Sequence, residues 1–155
     1  MYVASTVVAA PAGLPGERLA RGVARALAAR GFAVLTEFIL ANGRRADVFG
    51  IGRDGGLVIV EVKSSVADYR ADEKWPDYLE YCEQFFFAVP EGFPEELLPV
   101  DVGLLIADDF DAVPRREAPV MELSAARRRA VTLRFARAAA ARLHRVVDPG
   151  VASEG

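Results

Sequence analysis

At 155 residues, with 52% apolar and 26% charged side chains, the chain has the composition of an ordinary globular domain and can bury a core without metal or disulfide staples. Cys82 is the only cysteine, which excludes an internal disulfide, suits a reducing cytoplasm and reads first as a small buried hydrophobe. A net charge of -3 would argue against a nucleic-acid partner if it were evenly spread, but it is segregated: Glu61 to Asp111 holds 14 acidic and 3 basic residues, and Arg115 to Val147 holds 9 arginines against two glutamates.

The opening stretch MYVASTVVAAPAG lacks a basic leader and its apolar run is short, so neither a signal peptide nor a membrane span is expected there, and no other run reaches spanning length. A first helix is predicted over Gly16 to Arg30, where Leu19, Val23 and Leu27 recur every four residues and Arg18, Arg21 and Arg25 take other faces. Gly31 is its stop signal. Phe32 to Leu40 reads as a strand, Asn42-Gly43 as a hairpin turn, and Arg45 to Ile51 as a second strand. Asp54-Gly55-Gly56 then turns into a third strand, Leu57 to Lys63, whose near-continuous apolar run predicts a central position covered on both faces.

Beyond Ser64 the chain turns polar and aromatic, and Pro76 predicts the first turn of a helix over roughly Asp77 to Glu83. Strands follow at Gln84 to Val89 and Val102 to Ala107, with a short edge strand near Val113. Ser124 caps a long Ala/Arg-rich helix, Ala125 to Val147. The order predicts a single α/β domain built on a central mixed sheet (helix, three-strand meander, helix, strand) flanked by helices. Its ends, 1–13 and 148–155, are expected to be flexible.

Pairing the second and third strands through Asp54-Gly55-Gly56 sets Asp47 opposite or diagonal to Glu61, and strand alternation puts Glu61 and Lys63 on one face. Three charged side chains thus converge on strands that otherwise look like core, where charges are rare without a partner or a metal. Two close carboxylates call for a compensating divalent cation, and hard oxygen ligands favour Mg²⁺ or Mn²⁺. With a lysine to stabilise transition-state charge, the set has the chemistry of phosphodiester hydrolysis. The plain alternative is an exposed Glu61–Lys63 pair at a sheet edge, since an E-x-K tripeptide alone is weak evidence.

The segments NGRRADV, EVKSS and DEKWPDY, taken together, resemble the MmcB-like DNA repair proteins, a bacterial branch of the PD-(D/E)xK nuclease superfamily, from about Gly31 through the terminal helix. The resemblance implies a restriction-endonuclease-like core and a cytoplasmic protein acting on DNA in repair. It also implies that Asp47, Glu61 and Lys63 occupy the catalytic positions, with Asp47 and Glu61 as ligands of Mg²⁺ or Mn²⁺. Ala46 stands where the superfamily's motif has proline. Glu37 is either a supporting carboxylate or a solvent-facing edge residue. Glu17 reads as a complement to its helix dipole before a supporting carboxylate. Ser65 either contacts phosphate or Lys63, or simply ends the strand. Lys74, Trp75 and Tyr78 form a polar-aromatic cluster suited to phosphate contact and base stacking, or else pack on the sheet with Tyr81 and Cys82. His144 has no partner in view, which disfavours a histidine base or a zinc site. A catalytically weak module that binds nucleic acid or a repair partner is the alternative to an endonuclease. A homodimer is left open.

Overall fold

A computed structural model describes residues 13–150, so the expected flexible ends lie largely outside the described residues. Helix α1 (Pro15–Ala29) buries Leu19, Val23, Ala26 and Leu27 on one stripe. It stops at Gly31, whose φ of 90° only glycine adopts cheaply. Strands β1 (Ala33–Ile39), β2 (Arg45–Ile51) and β3 (Leu57–Val62) form the antiparallel meander. Its first turn is closed by Asn42, whose Oδ1 accepts from the Arg44 N–H at 2.9 Å, and by Gly43 at φ 84°.

Three elements follow as strands: β4 (Gln84–Val89), β5 (Gly103–Ala107) and the edge strand β6 (Ala112–Arg116). The six strands lie in chain order, β3–β4 and β4–β5 parallel and the rest antiparallel. All six residues of β3 are buried, as its apolar run predicted. Helix α1 packs over Val48, Val58, Val60 and Phe86 on one face. The terminal helix α3 (Ala125–Val147) covers the other face, where Phe135 meets Phe38 and Phe49 at ring-centroid distances of 5.8 and 5.7 Å. Ser124 caps α3 by accepting from the Arg127 N–H at 3.1 Å.

The β3–β4 crossover departs from expectation. A short helix, α2 (Val66–Ala71), occupies part of the polar stretch, and the helix predicted over Asp77 to Glu83 is instead a 3₁₀ segment, Trp75–Tyr81. The reason lies in its aromatic spacing. Trp75, Tyr78 and Tyr81 recur every three residues, so a three-residue turn lines all of them up on the sheet, whereas an α-helix would rotate the third away. Cys82 is fully buried behind them, and burial pushes its thiol pKa up to about 12.

Candidate active site

The β2–β3 ladder pairs Ile51 with Leu57, Gly50 with Val58, Phe49 with Ile59 and Val48 with Val60. One more step sets Asp47 opposite Glu61, and there backbone pairing gives way to side chains. The Asp47 N–H donates to Glu61 Oε1 at 3.0 Å, and the Val62 N–H donates to Asp47 Oδ2 at 2.8 Å. Each carboxylate thus replaces a carbonyl of the ladder, which holds both acids against the strand ends. The face alternation also breaks here: Ala46 and Val48, two residues apart, belong to opposite layers of the core.

Glu61 and Lys63 are the buried charged residues among those described, at 4% and 5% exposure. Burial, then the charge of Asp47, pushes the Glu61 carboxyl up to about 9. Burial also raises Asp47, against the Val62 N–H and the positive charge of Lys63. Each acid stands in the field of the other, so without a cation the pair favours holding a proton.

Lys63 lies past the end of β3, its N–H on the Ala88 carbonyl at 2.9 Å and its ammonium on Asp72 Oδ2 at 2.7 Å. Burial raises the Asp72 pKa, but the hydrogen bonds from Lys63 and from the Lys74 N–H outweigh it and hold the carboxyl below its ordinary value. Asp72 is therefore the partner of the buried lysine. Asp68 also reaches this region: its side chain accepts from the Ser64 N–H at 3.1 Å, and its charge raises Asp47. Sequence reasoning missed both. The available signal was two carboxylates one helical turn apart, directly after the E-x-K tripeptide.

Asp47, Glu61, Lys63 and Asp68 line a cleft of about 610 Å³ that also takes in Glu17, Arg44, Arg45 and Tyr78. The Glu17 carboxylate accepts from the Leu14 N–H at 3.2 Å, which is the helix-start role expected of it. Glu37 stands opposite Asp47 across the β1–β2 register, exposed, and lines a smaller cavity with Glu17 and Asp47. Its φ of 51° costs about 1–2 kcal/mol for a side chain with a Cβ, and Arg142 holds the conformation through the carbonyls of Thr36 and Glu37 at 2.6 and 2.8 Å.

Ser65, Lys74 and Trp75 do not line this cleft. Ser65 is exposed and caps α2, its Oγ accepting from the Asp68 N–H at 3.1 Å. Lys74 is exposed, its N–H donating to Asp72 Oδ1 at 2.9 Å. Trp75 stacks on Phe85 at 5.7 Å and meets Phe87 edge-on at 5.6 Å. Tyr78 is buried, stacks on Phe85 at 6.2 Å and donates its hydroxyl to the Arg45 carbonyl at 2.9 Å. Both rings therefore pack against Phe85 on the sheet, the second of the two readings open for them.

The donor set fits a divalent cation. Two adjacent carboxylates, Glu61 buried and Asp47 half-buried, each spend one oxygen on a backbone N–H and keep the other, and Mg²⁺ binds through one or two carboxylates while retaining water. Among the described residues no group of three or more acidic, histidine or cysteine side chains is placed to hold a metal.

Asp72→Asn is expected to lower turnover about 10- to 100-fold with little change in KM, since it unpairs Lys63 without touching the carboxylates. Equal kcat in the variant would show that the ion pair does not position the lysine.

A family model described as "DNA repair protein MmcB-like" matches residues 15–150. A solved structure, described as SPO1766 protein of unknown function from Silicibacter pomeroyi, is 49% identical, with a TM-score of 0.89 over 94% of this chain and 100% of that one. No curated protein matches.

Proposed function

The chain belongs to the MmcB-like family of DNA repair proteins, and from that premise we propose that it is a Mg²⁺- or Mn²⁺-dependent phosphodiesterase acting on DNA, of endonuclease type. The observation that carries the reading is the meeting of Asp47 and Glu61 where the strand ladder opens, on the wall of a cleft that also contains a buried lysine. Structural roles explain such a cluster poorly, because burying two like charges costs free energy that apolar residues would not.

In this reading Asp47 and Glu61 hold the cation, and their backbone hydrogen bonds fix the remaining oxygens in place. When bound, the cation supplies Lewis acidity at the phosphoryl group and lowers the pKa of water. Lys63, oriented by Asp72, offers its ammonium to the negative charge that develops as water attacks phosphorus. The leaving 3′- or 5′-oxygen takes its proton from solvent, which reaches the open cleft.

The test is a cleavage panel of single-stranded, flapped and branched DNA with Mg²⁺, Mn²⁺ or EDTA, comparing the unaltered protein with Lys63→Ala. Cation-dependent cleavage is expected, with a loss of roughly 10²- to 10³-fold in the variant. Salt-sensitive DNA binding with no cleavage under any condition would replace this reading with that of a binding module.

A further inference from the structure

The arginines of α3 divide into two groups. Two near its start are engaged and Arg129 beside them is exposed: Arg127 lies over the Tyr81 ring at 4.6 Å, and Arg128 pairs with Glu83 at 3.1 Å. Farther along, Arg134, Arg137 and Arg145 are exposed and make no ion pair or hydrogen bond among the described residues. Their spacings of three and eight residues keep them on one side of the helix, over roughly 16 Å of axis.

That side of α3 does not face open solvent alone. It forms one wall of a groove of about 690 Å³ whose other wall is the free edge strand β1, with Phe38 and Ile39. Arg142 joins the walls by holding the Thr36 and Glu37 carbonyls. No acidic side chain lines the groove among the described residues. Beyond Arg142 the same edge of β1 continues to Glu37, whose side chain shares a cavity with Asp47. The charged side chains of the groove are thus all basic, on a chain whose net charge is negative, and Arg142 ties the groove to the backbone of Glu37, the β1 residue opposite Asp47.

We infer that the groove between α3 and β1 binds the sugar-phosphate backbone of DNA and leads it to the Asp47–Glu61 site. This rests on the reading of that site as one that acts on DNA. Arginine forks match phosphate oxygens, and a row of unpaired arginines with no competing carboxylate is the arrangement that releases counterions from a polyanion. The groove lacks a stacking platform, because its one aromatic residue, Phe38, is 1% exposed. Bases are therefore not read here, and binding depends on backbone charge rather than sequence.

The experiment measures binding of a fluorescein-labelled DNA duplex by anisotropy in EDTA across a salt series, so that turnover plays no part. The variant Arg134→Ala/Arg137→Ala/Arg145→Ala is compared with a charge-matched variant, Arg30→Ala/Arg53→Ala/Arg115→Ala, whose sites lie elsewhere. The groove variant is expected to bind about 10-fold or more weaker, with the slope of log K against log salt reduced by about 2 to 3. The matched variant should change far less, and thermal melts of both should stay near that of the unaltered protein.

Equal losses in the two variants would reduce the effect to net charge and overturn the inference. So would unchanged affinity and slope in the groove variant, or poly-glutamate competing as well as DNA, which would assign the groove to an acidic protein. Arginine-dependent binding with no cleavage in Mg²⁺ would sink the hydrolase reading and leave the groove intact. Cleavage that persists with the groove variant binding normally would do the reverse.

Discussion

Glu61→Gln is expected to abolish Mg²⁺-dependent cleavage, by about 10³-fold or more, while making the cation-free protein more stable. The two effects have opposite signs for one reason. Glu61 is 4% exposed, directly against another carboxylate, and its negative charge is unfavourable there unless a cation compensates it. The amide keeps the shape and can still accept from the Asp47 N–H, so the ladder contact survives. What disappears is the charge that holds the cation, equivalent to about 4 kcal/mol of transition-state stabilisation for a 10³-fold loss. Steady-state cleavage and a thermal melt in EDTA measure the two effects on the same sample. A variant that cleaves normally would remove Glu61 from the catalytic set. One that loses both activity and stability would make it a structural residue.

The second large effect is a linkage between pH, cation and stability. Glu61 goes from an ordinary 4.5 to about 9 in the folded protein, chiefly through burial and then through Asp47. A raised carboxyl pKa means that the folded state binds the proton more tightly than the unfolded state. Its contribution is complete below about pH 4.5 and is lost as pH climbs toward 9. The melting temperature in EDTA should therefore fall across that interval. Saturating Mg²⁺ or Mn²⁺ should restore it most at the alkaline end, by roughly 5–10 °C at a hundredfold excess over Kd. Glu61→Gln should flatten both dependences. A melting temperature indifferent to divalent cations throughout would mean that the carboxylate pair does not bind them.

Both predictions centre on a residue that stands out in the sequence because the information around it is local. Asn42-Gly43 and Asp54-Gly55-Gly56 are turn signals whose backbone demands set the register, and a register once set determines which residues face each other. Counting back from the second turn brings Asp47 to Glu61, and the ladder observed from Ile51–Leu57 to Val48–Val60 leads to the same pair. The apolar run of β3 likewise announced its central place. The 3₁₀ form of Trp75–Tyr81 was written in the three-residue aromatic spacing, but Pro76 at a helix start argued for an α-helix.

The roles of Trp75 and Tyr78 were not legible in the same way. A polar-aromatic cluster suits either a wet interface or a core edge, and only Phe85 and Phe87, from a strand that follows the segment, decide for the core. Asp72 as the partner of Lys63 depends on α2 folding the chain back across the end of β3.

The carboxylate pair with its lysine was therefore determined by the sequence itself, because hairpin turns and strand alternation act over a few residues and have few solutions. The tertiary structure alone decided that Lys63 is tied to Asp72, that Trp75 and Tyr78 pack against Phe85, and that the unpaired arginines of α3 face the edge of β1. Each of these depends on packing between distant segments, where the outcome is set by which surfaces exclude water together, and no local pattern specifies that.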